Sequence, residues 1–475
     1  METTVEKNPL ISIYQSLDKS DGRRLGKWLD SPIHNQRADV RALHAYLLGG
    51  EDRLYKTSSL TKMRVWKRIF PKEPFDDARL RQTFHWTLKA TEAFLAWNNW
   101  QRDEFSRQLA LVMELRKRNI TTLAGRKLKK TIQSQNQIPL RNESYFRNEY
   151  LLELEREEHR NAYQPLESPR LIEISDTLDL TYFIEKLKVS GNMIFQQRIK
   201  KIEYDLRMVD EVVAQVSRLD LSKHPVLAIH YYGYRGLIED DASGESIGLL
   251  RDAVAKHGDL LAQKDLRHVI LMAINICISN MNIGRETYIR EAFEWYRLGF
   301  YRDVIAENNL LTRATYLNII TIGLRLKEYV WIENFINEST SQLEEDIREN
   351  TENFSRARLS YELKDYDTAM RLLVIVDLKH PVYNLLAKTL LLKIYYELDE
   401  YDAMESQLDS MTTYIRRKEI AELRRDNFNN IVRFVRQLSR IPHGDRPKLK
   451  ELKARIEQAS PLTEKQWLLE QLAAR

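Results

Sequence analysis

The chain has 475 residues and a net charge of +5, and its 15 Gly and 12 Pro lie well under the roughly 7% and 5% of ordinary chains, so long helices are expected. Hydrophobic residues make up 43% and charged residues 30%, which suits amphipathic helices and excludes a disordered chain. The single cysteine, Cys277, excludes an intrachain disulfide and a thiolate zinc site, and its apolar surroundings from Val269 to Ile278 read as a buried small hydrophobe.

From the N-terminus, Met1 to Lys7 carries no basic start followed by an apolar core, so no secretory signal is expected. Asp18 caps a predicted helix with Leu25, Trp28 and Leu29, ended by Ser31-Pro32. Val40, Leu43, Tyr46 and Leu47 form a second, ending at Gly49-Gly50, and Met63, Trp66, Ile69 and Phe70 a third, before Pro71 and Pro74. Asp76 opens a long helix through Leu80, Phe84, Leu88, Thr91 and Leu95 to Trp97 or Trp100, expected to bury Trp86, Phe94, Trp97 and Trp100. Phe105 to about Ile132 reads as helical and basic, an acidic helix surrounds Tyr150 to Arg160, and the breaker from Gln164-Pro165 to Ser168-Pro169 marks a boundary.

A hairpin pattern is expected from Leu171, with Leu178, Leu180, Phe183, Leu187 and Val189, then Phe195, Ile199, Ile202, Leu206 and Val209. Helices follow at about 225 to 239, 245 to 257, 263 to 281, 286 to 305 and 416 to 439. A turn at Pro442-His443-Gly444-Asp445 precedes a helix from Pro447, and Thr463 with Gln466 in capping-box spacing starts the last. No alternating strand pattern persists, and no segment approaches about 18 uninterrupted apolar residues, so a membrane span is not expected and a cytoplasmic location is.

Three tyrosines recur in one setting, Lys327-Glu328-Tyr329, Lys364-Asp365-Tyr366 and Asp399-Glu400-Tyr401, 37 and then 35 residues apart. That period belongs to stacked helical hairpins. Around Tyr366, small Ala357 and Ala369, large Leu373 and Pro381 stand where close helix approach, filling and closure need them. This unit resembles the tetratricopeptide repeat. The Tyr329 unit has Ile320 and Ile332 at the small positions, and the Tyr401 unit Leu392 and Met404, so these two match in period and turn alone. A looser resemblance, carried by Trp28 to Asn35, Phe70 to Leu80, Leu178 to Leu206 and Trp467-Leu468-Leu469-Glu470, is to predicted helical proteins of Bacteroidetes-type bacteria. It implies no activity.

The fold class expected is therefore all-α: an α-α superhelix, a tetratricopeptide-like solenoid of antiparallel hairpins, with an N-terminal helical domain. Its parts are a basic domain over 1–165, degenerate hairpins over 166–312, tetratricopeptide-like repeats over 313–415 and capping helices over 416–475.

Catalytic equipment is not legible. Gly22-Arg23-Arg24-Leu25-Gly26-Lys27 has three residues between its glycines where a phosphate loop needs four, and Trp28 replaces the metal-binding hydroxyl. His224, His230, His257 and His268 share no helix face, and the acidic clusters Glu239-Asp240-Asp241 and Glu344-Glu345-Asp346 read as helix ends. Tyr231, Tyr232 and Tyr234 beside Arg235 read as packing between hairpins. No enzyme activity, metal or cofactor is expected.

Binding is the expected role. In the family resembled, first-helix positions face the concave side, which at register places Arg358 and Lys393, Tyr361 and Tyr396, and Glu362 and Glu397 in a ladder suited to a peptide or an acidic C-terminus, extended by Arg325. Charge is segregated: residues 1–150 hold 28 Lys+Arg against 17 Asp+Glu, 151–410 hold 31 against 44, and 411–475 hold 15 against 8. The densest basic tract is Arg116, Lys117, Arg118, Arg126, Lys127, Lys129 and Lys130, with no acid between Glu114 and Glu143. The leading expectation is a scaffold or adaptor for a protein or peptide. Its alternative is a nucleic-acid-binding or regulatory protein using 116–130. Oligomeric state has no signature in the sequence.

Overall fold

The computed structural model describes residues 4–50, 53–164, 168–200, 202–376, 378, 380–442 and 444–475, with backbone alone at 198–200 and 423. The breaker residues 165–167, the Ile199 side chain and His443 of the predicted turn lie outside the described residues. Regular structure among them is helical, with two isolated β-bridges, Thr4 with Thr61 and Glu307 with Leu310, and no strand. The chain divides into two compact units, one of 1–138 with 144–178 and the other of 139–143 with 179–475.

The first unit holds α1 (Pro9–Ser16), α2 (Lys19–Asp30), α3 (Ala38–Leu48), α4 (Lys62–Ile69), α5 (Asp77–Arg102), α6 (Glu104–Lys117) and α7 (Thr121–Asn136), most of α8 (Glu143–Tyr163) and the start of α9 (Leu171–Lys200). The remainder of α9 belongs to the second unit, followed by α10 (Val209–Val216), α11 (Pro225–Ile238), α12 (Glu245–His257), α13 (Gln263–Asn282) and α14 (Thr287–Tyr301). Next come α15 (Arg313–Arg325), α16 (Tyr329–Ser339), α17 (Glu345–Glu362), α18 (Tyr366–Ile375), α19 (Pro381–Glu397) and α20 (Tyr401–Arg417). The last three are α21 (Glu422–Arg440), α22 (Arg446–Gln458) and α23 (Lys465–Ala473).

Local chemistry explains where these helices start. Asp18 and Asp76 accept from the backbone N–H groups of Asp21 at 2.6 Å and Arg79 at 3.1 Å, each satisfying an orphan donor of the first turn. In α5 the buried stripe contains Thr83, Thr87 and Thr91 beside Leu80, Phe84 and Phe94. Thr87 and Thr91 donate their hydroxyls to the carbonyl four residues back, at 2.8 and 2.7 Å, and the Thr83 hydroxyl lies within reach of both Asp39 Oδ2 at 2.9 Å and the Arg79 carbonyl at 3.0 Å, so three polar groups enter the core without an unmet donor.

In the second unit helices pack in successive pairs, α11 on α12, α13 on α14, α15 on α16, α17 on α18 and α19 on α20. The odd-numbered helices also touch one another, α11 with α13, α15 with α17 and α17 with α19. Nearest-neighbour stacking of this kind is an all-α helical-repeat arrangement. The tyrosine triplets are its turns. Lys327, Lys364 and Asp399 all adopt left-handed backbone, with φ of 59°, 64° and 59°. The next residue's N–H then closes onto a carbonyl five back: Glu328 to Gly323 at 3.0 Å, Asp365 to Ser360 at 2.8 Å and Glu400 to Tyr395 at 2.9 Å.

The departure of the Tyr329 unit from the small-residue pattern is compensated one turn away. Ala357 and Ala369 are fully buried between α17 and α18, whereas in the preceding hairpin Ile320 and Ile332 are fully buried and Ile332 lies against the bare backbone of Gly323. The close approach is kept, with the missing Cβ on a different residue.

Several boundaries differ from expectation. The basic stretch from Phe105 is two helices, α6 and α7, because Asn119 turns left-handed at φ 58° and Ile120 N–H closes onto Leu115. The hairpin expected from Leu171 is a single 30-residue helix, since α9 contains no proline and tolerates its one interior glycine, Gly191. The helix expected at 416 to 439 begins at Glu422, after α20 has run on to Arg417. Phe94 is buried on α5 as expected, but Trp86, Trp97 and Trp100 remain 44%, 37% and 44% exposed, because none of them lies on the threonine stripe itself.

Candidate functional site

Register places Thr321 in α15, Arg358 in α17 and Lys393 in α19 at equivalent positions, eight residues before each repeat tyrosine. The structure brings them together on one cavity of about 420 Å³, with Tyr361 and Glu362 beside them. Arg358 donates to Thr321 Oγ1 at 2.8 Å across neighbouring repeats. Burial draws its guanidinium below the usual value, opposed by the charges of Glu464 and Glu362. Among the described residues no carboxylate forms an ion pair with it.

The opposite wall comes from the C-terminal helices. Arg424, Asn427 and Phe428 of α21, with Thr463 and Glu464 before α23, complete the cavity. Glu464 pairs with Lys393 at 2.9 Å, leaving the lysine side chain 13% exposed. Lys393 also stands 4.8 Å above the Tyr361 ring, a favourable cation–π placement. Thr463 is not the helix cap that its spacing suggested. Its N–H and hydroxyl both meet the buried Asn427 side chain, at 2.8 and 3.1 Å, so the residue ties α21 to the last helix.

Two members of the predicted ladder are structural and lie off the cavity. Tyr396 is buried, edge-on to Trp467 at 5.4 Å and under the Arg475 guanidinium. Glu397 accepts from Tyr361, Tyr366, Lys364 and Trp467, an arrangement that uses its carboxylate fully. Burial pushes that carboxyl up, and the four donors outweigh it and hold it below the ordinary value. Arg325 is exposed, salt-bridged to Glu286 at 3.2 Å, and away from the cavity lining. Glu464 and Asn427 were missed by sequence reading because Glu464 meets Lys393 of the repeats across 71 residues and Asn427 meets Thr463 across 36, and neither contact follows a local rule.

The basic tract lies in the first unit and is split by its own acids. Arg116 binds Glu155 at 2.8 Å and Glu158 at 3.3 Å, and the hydrogen bond to Glu155 raises its guanidinium above its ordinary value. Arg118 binds Glu114 at 2.6 Å. Lys117 at the end of α6 and Arg126, Lys129 and Lys130 on α7 are exposed, and Lys127 is half-buried. No ion pair engages these five among the described residues.

Of the remaining candidates, Cys277 is buried, with burial pushing its thiol up. Tyr231 and Tyr234 are buried, Tyr232 half-buried. Gly22 to Lys27 is an interior stretch of α2, so no phosphate loop forms there. Among the described residues no group of three or more metal-ligating side chains converges, and no helix is long and apolar enough to cross a membrane. No family model matches the chain, and no curated protein or solved structure shows a significant match.

Proposed function

We propose that the protein is a cytoplasmic, non-enzymatic scaffold whose tetratricopeptide-like repeats hold an acidic segment of a protein partner in the cavity between α17, α19 and α21. The observation that carries this reading is Arg358, a partly buried cation that faces the cavity and has, among the described residues, a hydroxyl and no carboxylate as its hydrogen-bond partner. An incoming carboxylate would supply a charge-assisted hydrogen bond that no described residue of the chain supplies. Glu464, already engaged by Lys393, supports the same chemistry by occupying the neighbouring cation from within. Panning a random peptide display library tests it. Enriched peptides should be acidic, weakened at least tenfold by Arg358→Glu and largely retained by Arg358→Lys. Enrichment without acidic character, or indifference to Arg358→Glu, would overturn the reading.

A second reading, polyanion binding by the first unit, is favoured by Lys117, Arg126, Lys129 and Lys130, which are exposed and form no ion pair among the described residues. Single-stranded nucleic acid should be retained at ~50 mM salt, released as salt rises, and lost on changing Lys127, Lys129 and Lys130 to Glu. Equal retention by that triple variant would dismiss the tract.

A further inference from the structure

The first unit contains a larger cavity, about 780 Å³, among α1, α2, α3 and the short turn at Arg53–Tyr55. That volume falls within the roughly 300–1,000 Å³ of small-molecule sites. Its apolar surface comes from Leu17, Leu48 and Tyr55, with the buried Tyr14, Leu47 and Leu54 beneath them. Leu48 is 39% and Tyr55 68% exposed, so apolar surface borders the open cavity.

Polar groups converge on it from two levels. At the floor, His44 is anchored through Nδ1 to the Tyr14 hydroxyl at 2.9 Å, and Tyr14 is itself 1% exposed. The other ring nitrogen, Nε2, lies against Gly26, where an added Cβ would come within 3.0 Å, and it has no hydrogen-bond partner among the described residues. Gly22 and Gly26, one turn apart on α2, thus let α3 press its Leu48 and His44 against the helix. At the mouth, Lys19 and Arg23 stand on successive turns of α2, both exposed. The one carboxylate in the lining, Asp18, is already used in capping α2 through Asp21 N–H at 2.6 Å.

We propose that this cavity is a binding site for a small organic carboxylate with an apolar body. The body lies over Leu17, Leu48 and Tyr55, and the carboxylate meets Arg23 at the mouth. The inference is independent of the peptide site, which lies in the second unit.

Isothermal titration of the full chain with dodecanoate and, separately, dodecanol tests it, both below their aggregation limits. Dodecanoate should bind saturably at one site and dodecanol at least tenfold more weakly. Arg23→Glu, a change at an exposed position, should weaken dodecanoate about tenfold and leave dodecanol unchanged, while Arg23→Lys should restore most of the loss. Leu48→Trp, which fills the entrance, should weaken both, with unchanged far-ultraviolet circular dichroism showing that the helices persist. Absence of saturable binding, equal affinity for acid and alcohol, or binding unmoved by Arg23→Glu and Leu48→Trp would each overturn the proposal.

Discussion

Trp467 Nε1 donates to Glu397 Oε1 at 2.7 Å, joining the last helix to the last turn of α19 across 70 residues of sequence. The same carboxylate takes Lys364 at 2.9 Å and the hydroxyls of Tyr361 and Tyr366. Its side chain is 9% exposed. A buried carboxylate is costly alone, and four donors make it the point at which two repeats and the C-terminal cap are held in one arrangement.

Glu397→Gln should therefore destabilise the protein by about 2–3 kcal/mol, since the amide presents its N–H₂ to groups that need an acceptor. Trp467→Phe, which removes one donor and keeps an aromatic ring against Tyr396, should cost about 1–2 kcal/mol. Denaturant unfolding of both single variants and the double variant measures the coupling, and additive losses would show that the bond contributes nothing. The pH dependence has a definite sign. With its folded pKa below the ordinary 4.5, Glu397 contributes stability that is present above that value and is lost as pH falls through the folded pKa.

The left-handed turns supply a prediction of opposite direction. Lys327 is exposed, has φ of 59° and caps the first tyrosine-marked hairpin. A non-glycine residue there costs on the order of 1 kcal/mol, so Lys327→Gly should raise stability by about 0.5–1 kcal/mol. Lys364→Gly should not, because Lys364 also binds Glu397 and lies 5.4 and 5.6 Å from the Tyr361 and Tyr366 rings. Paired thermal melts compare them directly, and a lower melting temperature for Lys327→Gly would contradict the strain argument.

What the sequence makes legible follows from the range of the interactions. The tyrosine triplets mark turns because the left-handed residue, the closing N–H and the following helix start all lie within a few positions. Asp18 and Asp76 were readable caps for the same reason. Register also aligned Arg358 with Lys393, and both line the cavity. Tyr396 and Glu397 share that register yet face the C-terminal helices, because Trp467 and Arg475 cover them from far along the chain. The basic tract was readable as charge, but its division was not, since Arg116 finds Glu155 through the packing of α8 and not through helical spacing. Exposure of Trp86, Trp97 and Trp100 was misread because bulk suggested burial, whereas α5 fills its inner face with threonines.

His230 supplies the clearest dependence on pH. It lines a small cavity with Lys188 of α9 and with Asp265 and His268 of α13, and Lys188 is bound to Asp265 at 2.8 Å and to Glu143. Burial pushes the His230 imidazole down to about 4 from 6.5, with Lys188 and His268 acting in the same direction and Asp265 against it. The folded state thus favours the neutral ring, and the unfolded chain binds the proton more readily. Stability from this group is complete above pH 6.5, declines as pH falls toward 4, and changes no further below that. Allowing for residual solvent access, the loss should be on the order of 2 kcal/mol. His230→Gln should remove that part of the slope, so the difference in unfolding free energy between wild type and variant should vary across pH 4 to 6.5 and stay constant from pH 6.5 to 8. A constant difference over the whole range would mean that the ring titrates alike in the folded and unfolded chain, and that Lys188 and its carboxylates, not the histidine, govern this joint.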